Sequence, residues 1–189
     1  INTGGMRLSN QEIRHALYQG RASILLKSMV ENDVYNDVVG RTVKDDRMAG
    51  RELILRYLAF TLFGYNNYYG DMDDFLSNTM KALNNEKIKE LPLIDIPEDD
   101  VIINTFELGL HRTYEIFGEH SFRKSLPGDT RKTPVNKSLF ELWLYLLTRA
   151  KKDSYDEIIL KKDILLNEYK DLLQNYEFMN SISRHGAGV

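Results

Sequence analysis

The sequence predicts an all-α protein, a single globule of about six or seven helices. Three observations predict it. Apolar residues recur at helical spacing along nearly the whole chain. Sustained alternation is missing, and only short strand candidates such as Leu93 to Ile96 are present. Serine, aspartate and proline start signals also stand directly before several of the apolar stripes.

Taken in order, Ser9-Asn10-Gln11-Glu12 has the form of a capping box, in which the serine accepts from the third helical N–H and the glutamate reaches back. Ile13, Ala16, Leu17, Ile24 and Leu25 follow at helical spacing, with Gly20 as a break. Leu53, Ile54, Tyr57, Leu58 and Leu62 make the next stripe. Met72, Phe75, Leu76, Met80 and Leu83 make another, behind aspartates that suit a helix N-terminus. Pro97-Glu98-Asp99-Asp100 starts a helix that continues through Ile102, Phe106, Leu110, Tyr114 and Phe117, with Gly118 as its stop. The cleanest stripe is Leu139, Leu142, Trp143, Leu146, Leu147 and Ala150. A second capping box, Ser154-Tyr155-Asp156-Glu157, leads to Leu165, Tyr169, Leu172, Leu173 and Tyr176. Loops are expected near 66–70, 91–97 and 126–134, and none is long and polar enough to act as a linker between domains.

Composition agrees with a packed chain. Of 189 residues, 42% are hydrophobic and 28% charged, with a formal charge of −3, so a disordered or collagen-like chain is excluded. The absence of cysteine excludes disulfides, thiolate metal sites and a cysteine nucleophile. The longest unbroken apolar stretch, Leu142 to Leu147, is far short of a membrane span, and the expected location is cytoplasmic. The chain opens on Ile1 and runs at once into a glycine turn, so it reads as a fragment.

Near-neutral charge excludes a globally basic nucleic-acid binder but leaves room for local basic faces. Arg7, Arg14, Arg21 and Lys27 stand against Glu12 alone in the first thirty residues. Arg123, Lys124, Arg131, Lys132 and Lys137 stand against Asp129 alone between Ser121 and Lys137. Solvated faces and a mobile loop are the plainer account of both; a DNA-contacting segment is the functional one. At the N-terminus, Gly4 and Gly5 leave backbone N–H groups unshielded ahead of a capped helix, and Thr3, Arg7 and Arg14 add a hydroxyl and charge. That arrangement suits either a phosphate or a simple tight turn. His111 and Glu115 have metal-ligand spacing without a third ligand in view, and His15 follows Arg14. Tyr65, Tyr68 and Tyr69 suit base stacking, or closure of the core beside Phe60 and Phe63. Asp73 and Asp74 read as helix-start residues.

The run Ile1-Asn2-Thr3-Gly4-Gly5-Met6-Arg7-Leu8-Ser9-Asn10-Gln11-Glu12-Ile13-Arg14, then Ala16-Leu17-Tyr18-Gln19-Gly20, resembles the signature that follows the ParB/sulfiredoxin-like core in the GmrSD-type restriction endonuclease N-terminal family. Arg51-Glu52-Leu53-Ile54-Leu55-Arg56-Tyr57-Leu58-Ala59-Phe60, Phe75-Leu76 with Asn84, Phe122-Arg123-Lys124, Val135-Asn136-Lys137-Ser138-Leu139-Phe140-Glu141 and Ser181-Ile182-Ser183 continue the likeness in order. The resemblance implies that residues 1–189 are the helical portion of one domain, with the nucleotide-handling Asp-Gly-Gln-Gln-Arg core upstream and sometimes an HNH-like nuclease downstream. It implies that residues 1–20 edge a nucleotide pocket lined by Asn2, Thr3, Gly4 and Gly5, with Glu12 and Arg14 behind. It further implies modification-dependent DNA restriction or phage defence. A nucleoside triphosphate with Mg2+ is then expected in the full-length parent, and no cofactor or activity in the fragment alone. The alternatives are a non-catalytic α-helical interaction module and a DNA-contacting module using Arg123, Lys124, Arg131, Lys132 and Lys137.

Overall fold

The computed structural model describes residues 7–40 and 45–184. Among these, ten α-helices carry the fold: α1 (Asn10–Leu17), α2 (Arg21–Val30), α3 (Asp33–Val39), α4 (Ala49–Phe63), α5 (Met72–Leu83), α6 (Asp99–Phe117), α7 (Lys137–Arg149), α8 (Lys152–Leu160), α9 (Lys162–Gln174) and α10 (Tyr176–Arg184). The described residues contain no strand, only an isolated antiparallel bridge between Arg123 and Val135. The class is therefore all-α, as expected. The helix count exceeds the expected one because three breaks carry weak signals. Asn32 caps α3 by accepting from the Tyr35 N–H, and the chain turns again at Lys161 and at Asn175. Leu93 to Ile96 forms no strand, and Leu93 is almost wholly exposed.

The helices gather into two compact units, each assembled from separated stretches of chain. The described parts of Ile1–Glu31 and Lys44–Pro97 form one, and those of Asn32–Val43 and Glu98–Val189 the other. In the first unit α2, α4 and α5 pack together through Leu25, Leu26, Met29, Leu53, Ile54, Leu58, Leu76, Met80 and Leu83, all of them buried. α4 is buried on nearly every side from Leu53 to Phe60, so it is the core helix of this unit. Asp71 caps α5 through the Asp74 N–H, as the aspartate signal suggested. Asn84, just past the end of α5, clasps the turn between α1 and α2. Its Oδ1 accepts from the Ala22 N–H at 2.9 Å and its Nδ2 donates to the Gln19 carbonyl at 3.1 Å. Gly20 takes φ +131° there, and a Cβ at that position would lie 3.0 Å from Asn84 Oδ1.

In the second unit the long α6 packs on α7 and α3. Tyr35 of α3 lies 6.0 Å from Phe106 and 6.3 Å from Phe140 between ring centroids, and Phe122 lies 4.6 Å from Phe140. α7 buries two sides. Phe140 and Leu144 are fully buried, and Leu139 and Leu147 belong to a second cluster with Ile116, Phe117, Tyr155, Tyr169 and Ile182. The expected stripe through Leu142, Trp143 and Leu146 is thus only partly the inner face. Trp143 is half-buried against Phe117 (4.7 Å) and Tyr169 (5.1 Å), and Leu146 is exposed. Ser154 does not cap α8, which starts earlier at Lys152, so the second capping box is corrected: Ser154 lies inside the first turn of the helix.

Two predictions follow from the packing of this unit. Gly109 sits where α6 crosses α7. A Cβ there would lie 2.7 Å from Thr148 Cγ2 and 2.9 Å from Leu144 Cδ2, and Thr148 is held in place by its hydroxyl bond to the Leu144 carbonyl. Gly109→Ala should therefore lower stability in urea unfolding by about 1–3 kcal/mol, against alanine's better helix propensity. Burial pushes the Tyr169 phenol up to about 12. An unfolded tyrosine ionises at about pH 10, so above that the unfolded chain releases a proton the folded one retains. Stability should be intact below about pH 10 and fall as pH rises toward 12. Urea midpoints for wild type and Tyr169→Phe between about pH 8 and about pH 11 should show a shallower alkaline fall in the variant.

Candidate functional site

α1 carries the residues that stand directly behind the glycine block. Asn2, Thr3, Gly4 and Gly5 lie outside the described residues; Glu12 and Arg14 do not. The expected capping box is formed. The Ser9 Oγ accepts from the Glu12 N–H at 3.2 Å, and the Ser9 N–H donates to Glu12 Oε2 at 2.5 Å. The Ser9 hydroxyl also donates to the Arg47 carbonyl, while the Arg47 guanidinium donates to the Arg7 carbonyl and to Glu12 Oε2. Arg47 and Met48 hold positive φ, 57° and 61°, a backbone state that costs non-glycine residues energy. Hydrogen bonding from the Ser9 amide, with Arg47 helping, holds the Glu12 carboxyl below the usual carboxylate range. The start of α1 is thus tied on both sides.

α1 is turned the opposite way from the apolar reading. Gln11 and Arg14 face inward, 0% and 4% exposed, while Ile13, Leu17 and, on α2, Ile24 are exposed. The Arg14 guanidinium donates to Asp73 Oδ1 of α5 at 2.6 Å and to Gln11 Oε1 at 2.9 Å, and lies 3.8 Å from Glu52 Oε2 of α4. Asn10 Nδ2 also donates to Asp73, at 2.6 Å. Glu12 and Arg14 both spend their charge on partners within the first unit. The Nε2 of Gln11 and the Nδ1 of His15, one turn further on, are buried without a hydrogen-bond partner.

In the second unit the basic segment is a pinned hairpin, unlike the mobile loop expected for it. Arg123 is buried, donating to the Thr133 and Val39 carbonyls at 2.6 and 3.1 Å, and burial pulls its guanidinium below the ordinary arginine value. Thr133 Oγ1 accepts from the Lys124 and Ser125 N–H groups, and Asp129 closes the tip by accepting from Leu126. Arg123, expected among the DNA contacts, is thus the internal clasp of the hairpin in this structure. Lys124, Arg131, Lys132 and Lys137 remain at the surface or half-buried. Lys124 donates to the Ser183 hydroxyl at 2.7 Å, and Lys132 pairs with Glu119 at 2.7 Å. Asn136 caps α7 through the Leu139 N–H and donates to the Ile182 carbonyl. A cavity of about 450 Å³ opens here, lined by Lys124, Thr133, Pro134, Val135, Asn136, Lys137 and Ser183. The first turn of α7 holds no acidic residue.

The remaining candidates fall into structural roles. Glu115 accepts from the Tyr155 hydroxyl at 2.6 Å, His111 is exposed, and no metal-ligand group occurs among the described residues. Burial, then the bond to Glu115, pushes the Tyr155 phenol well up, and Arg112 stacks on its ring at 4.5 Å. Tyr65 stacks on Phe60 at 4.2 Å, and Tyr68 packs against Phe60 and Phe75, which closes the end of the first core. Tyr69 is exposed beside a cavity of about 250 Å³, but Asp71, Asp74 and Glu90 line that cavity and would repel phosphates. Asn84 and Arg47 are the site-supporting residues that residue-type reading missed. Asn84 stood in a resembling block without a role, and nothing in the sequence marked Arg47.

Comparison with known proteins gives no match: no family model, no curated protein and no solved structure is similar to this chain. The fold and these geometries define a class only, an all-α protein with a polar-faced first helix and a pinned basic hairpin.

If α1 is held by its buried charge, Arg14→Met should lose about 1–3 kcal/mol in urea unfolding, because the bonds of the buried guanidinium to Gln11 and Asp73 are lost. Asp73→Asn should lose less than about 1 kcal/mol, since the Asp73 side chain is 58% exposed. The reverse order of the two losses would remove Arg14 as the anchor.

Proposed function

We propose that this chain is the helical portion of a nucleotide-dependent, modification-dependent DNA restriction or phage-defence protein, and that it contacts DNA phosphates through the basic hairpin. The observation that carries the DNA part is the cavity at the start of α7, where Lys124 and Lys137 flank a helix N-terminus free of acidic residues. Two cations beside a helix N-terminus are groups that can hold a phosphate oxygen. Arg131 and Lys132 are exposed further along the hairpin, which Arg123 holds closed. Contacts of this kind position a duplex without reading its bases, which suits a module whose sequence or modification choice is made elsewhere.

The nucleotide part rests on the resemblance and on the order it finds behind the glycine block. Ser9, Glu12 and Arg47 fix the entry to α1, and Arg14 ties that helix to α4 and α5. In this reading Glu12 and Arg14 support a phosphate-holding turn at Asn2, Thr3, Gly4 and Gly5 instead of touching the nucleotide. Hydrolysis also requires groups that orient water and offset developing charge, which the resemblance assigns to a core upstream, so the chain by itself should be catalytically silent.

The test of the DNA part is fluorescence anisotropy with a short labelled duplex over a range of salt. Affinity should fall as salt rises, with a log–log slope of about −0.9 for each phosphate contacted. Lys124→Gln with Lys137→Gln should weaken binding equally for unrelated sequences and flatten the slope by about 2. A duplex affinity that this pair of changes leaves untouched would reduce the hairpin to a solvated connector.

A further inference from the structure

The cations of the hairpin differ in what they are bonded to. Lys124 donates to a neutral hydroxyl, Ser183 Oγ, at 2.7 Å. Lys132 donates to a carboxylate, Glu119 Oε2, also at 2.7 Å. Glu119 sits in the short 3-10 turn Gly118–His120 that ends α6, thirteen residues from Lys132 in the chain. Both side chains are well exposed, 70% for Glu119 and 48% for Lys132, so an incoming anion has access to either. The lysine in turn holds the Glu119 carboxyl below the usual carboxylate range, first through the hydrogen bond and then through its charge, which keeps Glu119 ionised at neutral pH.

We infer that Glu119 is a specificity-determining residue for polyanions: its carboxylate takes one donor of the Lys132 ammonium, and a phosphate must compete with it for that lysine. This rests on the phosphate-contacting reading of the hairpin. A carboxylate at this spot acts twice. It bonds the ammonium in the free protein, so a phosphate arriving there competes with an existing ion pair instead of meeting a bare cation. It also repels any phosphate that approaches without displacing it. Isolated or sparse anions therefore see a hairpin reduced by one cation. A duplex already held at Lys124 and Lys137 presents further phosphates at high effective concentration and can compete for Lys132. Arg131, next to it, is also exposed, but the carboxylate pairs with Lys132, so the discrimination centres on that lysine.

A double-mutant cycle tests this with the same labelled duplex and salt series. Wild type, Glu119→Gln, Lys132→Gln and the double variant are compared, each with a folded helical spectrum by circular dichroism. Glu119→Gln should tighten binding about 2–5-fold, the size expected for releasing an exposed ion pair, and steepen the salt slope by about 0.9 as one more phosphate contact is made. Lys132→Gln should weaken binding little in wild type and abolish the gain in the Glu119→Gln background. An equal gain from Glu119→Gln with and without Lys132 would mean a general loss of negative charge and would overturn the inference. So would no gain at all. If instead no variant binds the duplex, wild type included, the phosphate-contacting reading itself fails and takes this inference with it. Binding that needs Lys124 and Lys137 but ignores Glu119 would leave that reading standing and remove only the gate.

Discussion

One buried charge organises the first unit. The Arg14 guanidinium reaches Asp73 on α5, Glu52 on α4 and Gln11 on its own helix. A guanidinium this far from water is tolerable only where its donors are met, so α1 must lie with that side down, between the two helices that supply the acceptors. Everything about its amphipathicity follows. Ile13 and Leu17 are carried to the outside because they share a helix with a residue whose inward placement is more strictly required. The Asn84 clasp then sets where α2 begins, and the Ser9–Glu12–Arg47 knot sets where α1 begins. Apolar packing fills the core behind α1, but polar bonds decide its orientation.

This explains which features were readable in the sequence. Local rules worked where a signal is satisfied within four residues of itself. The capping box at Ser9, the aspartate cap at Asp71, the helix start after Pro97 and the stop at Gly118 are all closed by neighbouring backbone. Periodicity identified that α1 has two unlike faces, but a period carries no information about which face turns inward; that is decided by Glu52 and Asp73, far away in the chain. Similarly, Arg123 reads as one positive charge among five, and only the carbonyls of Thr133 and Val39 reveal it as an interior residue. Ser154 failed for the opposite reason. Its local pattern is sound, but α8 already begins at Lys152 and leaves no terminus there to cap. Of the candidate site, the glycine block lies outside the described residues, and the bonding roles within the basic segment came only with the fold.

Residues far apart in the chain also meet one another. Gly20 closes on Asn84, Arg14 reaches toward Glu52, and Phe122 accepts the Asn136 N–H at its carbonyl while packing on Phe140. Each meeting lies within one unit and each is a fold contact. Gly20, Asn84, Arg14 and Glu52 therefore work here as joints between helices.

The two units interleave along the chain, and this has a consequence for how the protein is made. Asn32–Val43 belongs with the second unit although it is translated between the two stretches of the first. During synthesis Tyr35 emerges long before Phe106 and Phe140, the rings it packs against in the finished molecule. The first unit can close once Pro97 has left the ribosome, while α3 must wait, with Tyr35, Val38 and Val39 uncovered, until α6 and α7 follow. The nascent chain thus passes through a stage in which the first unit can be complete while the apolar side of α3 is still uncovered.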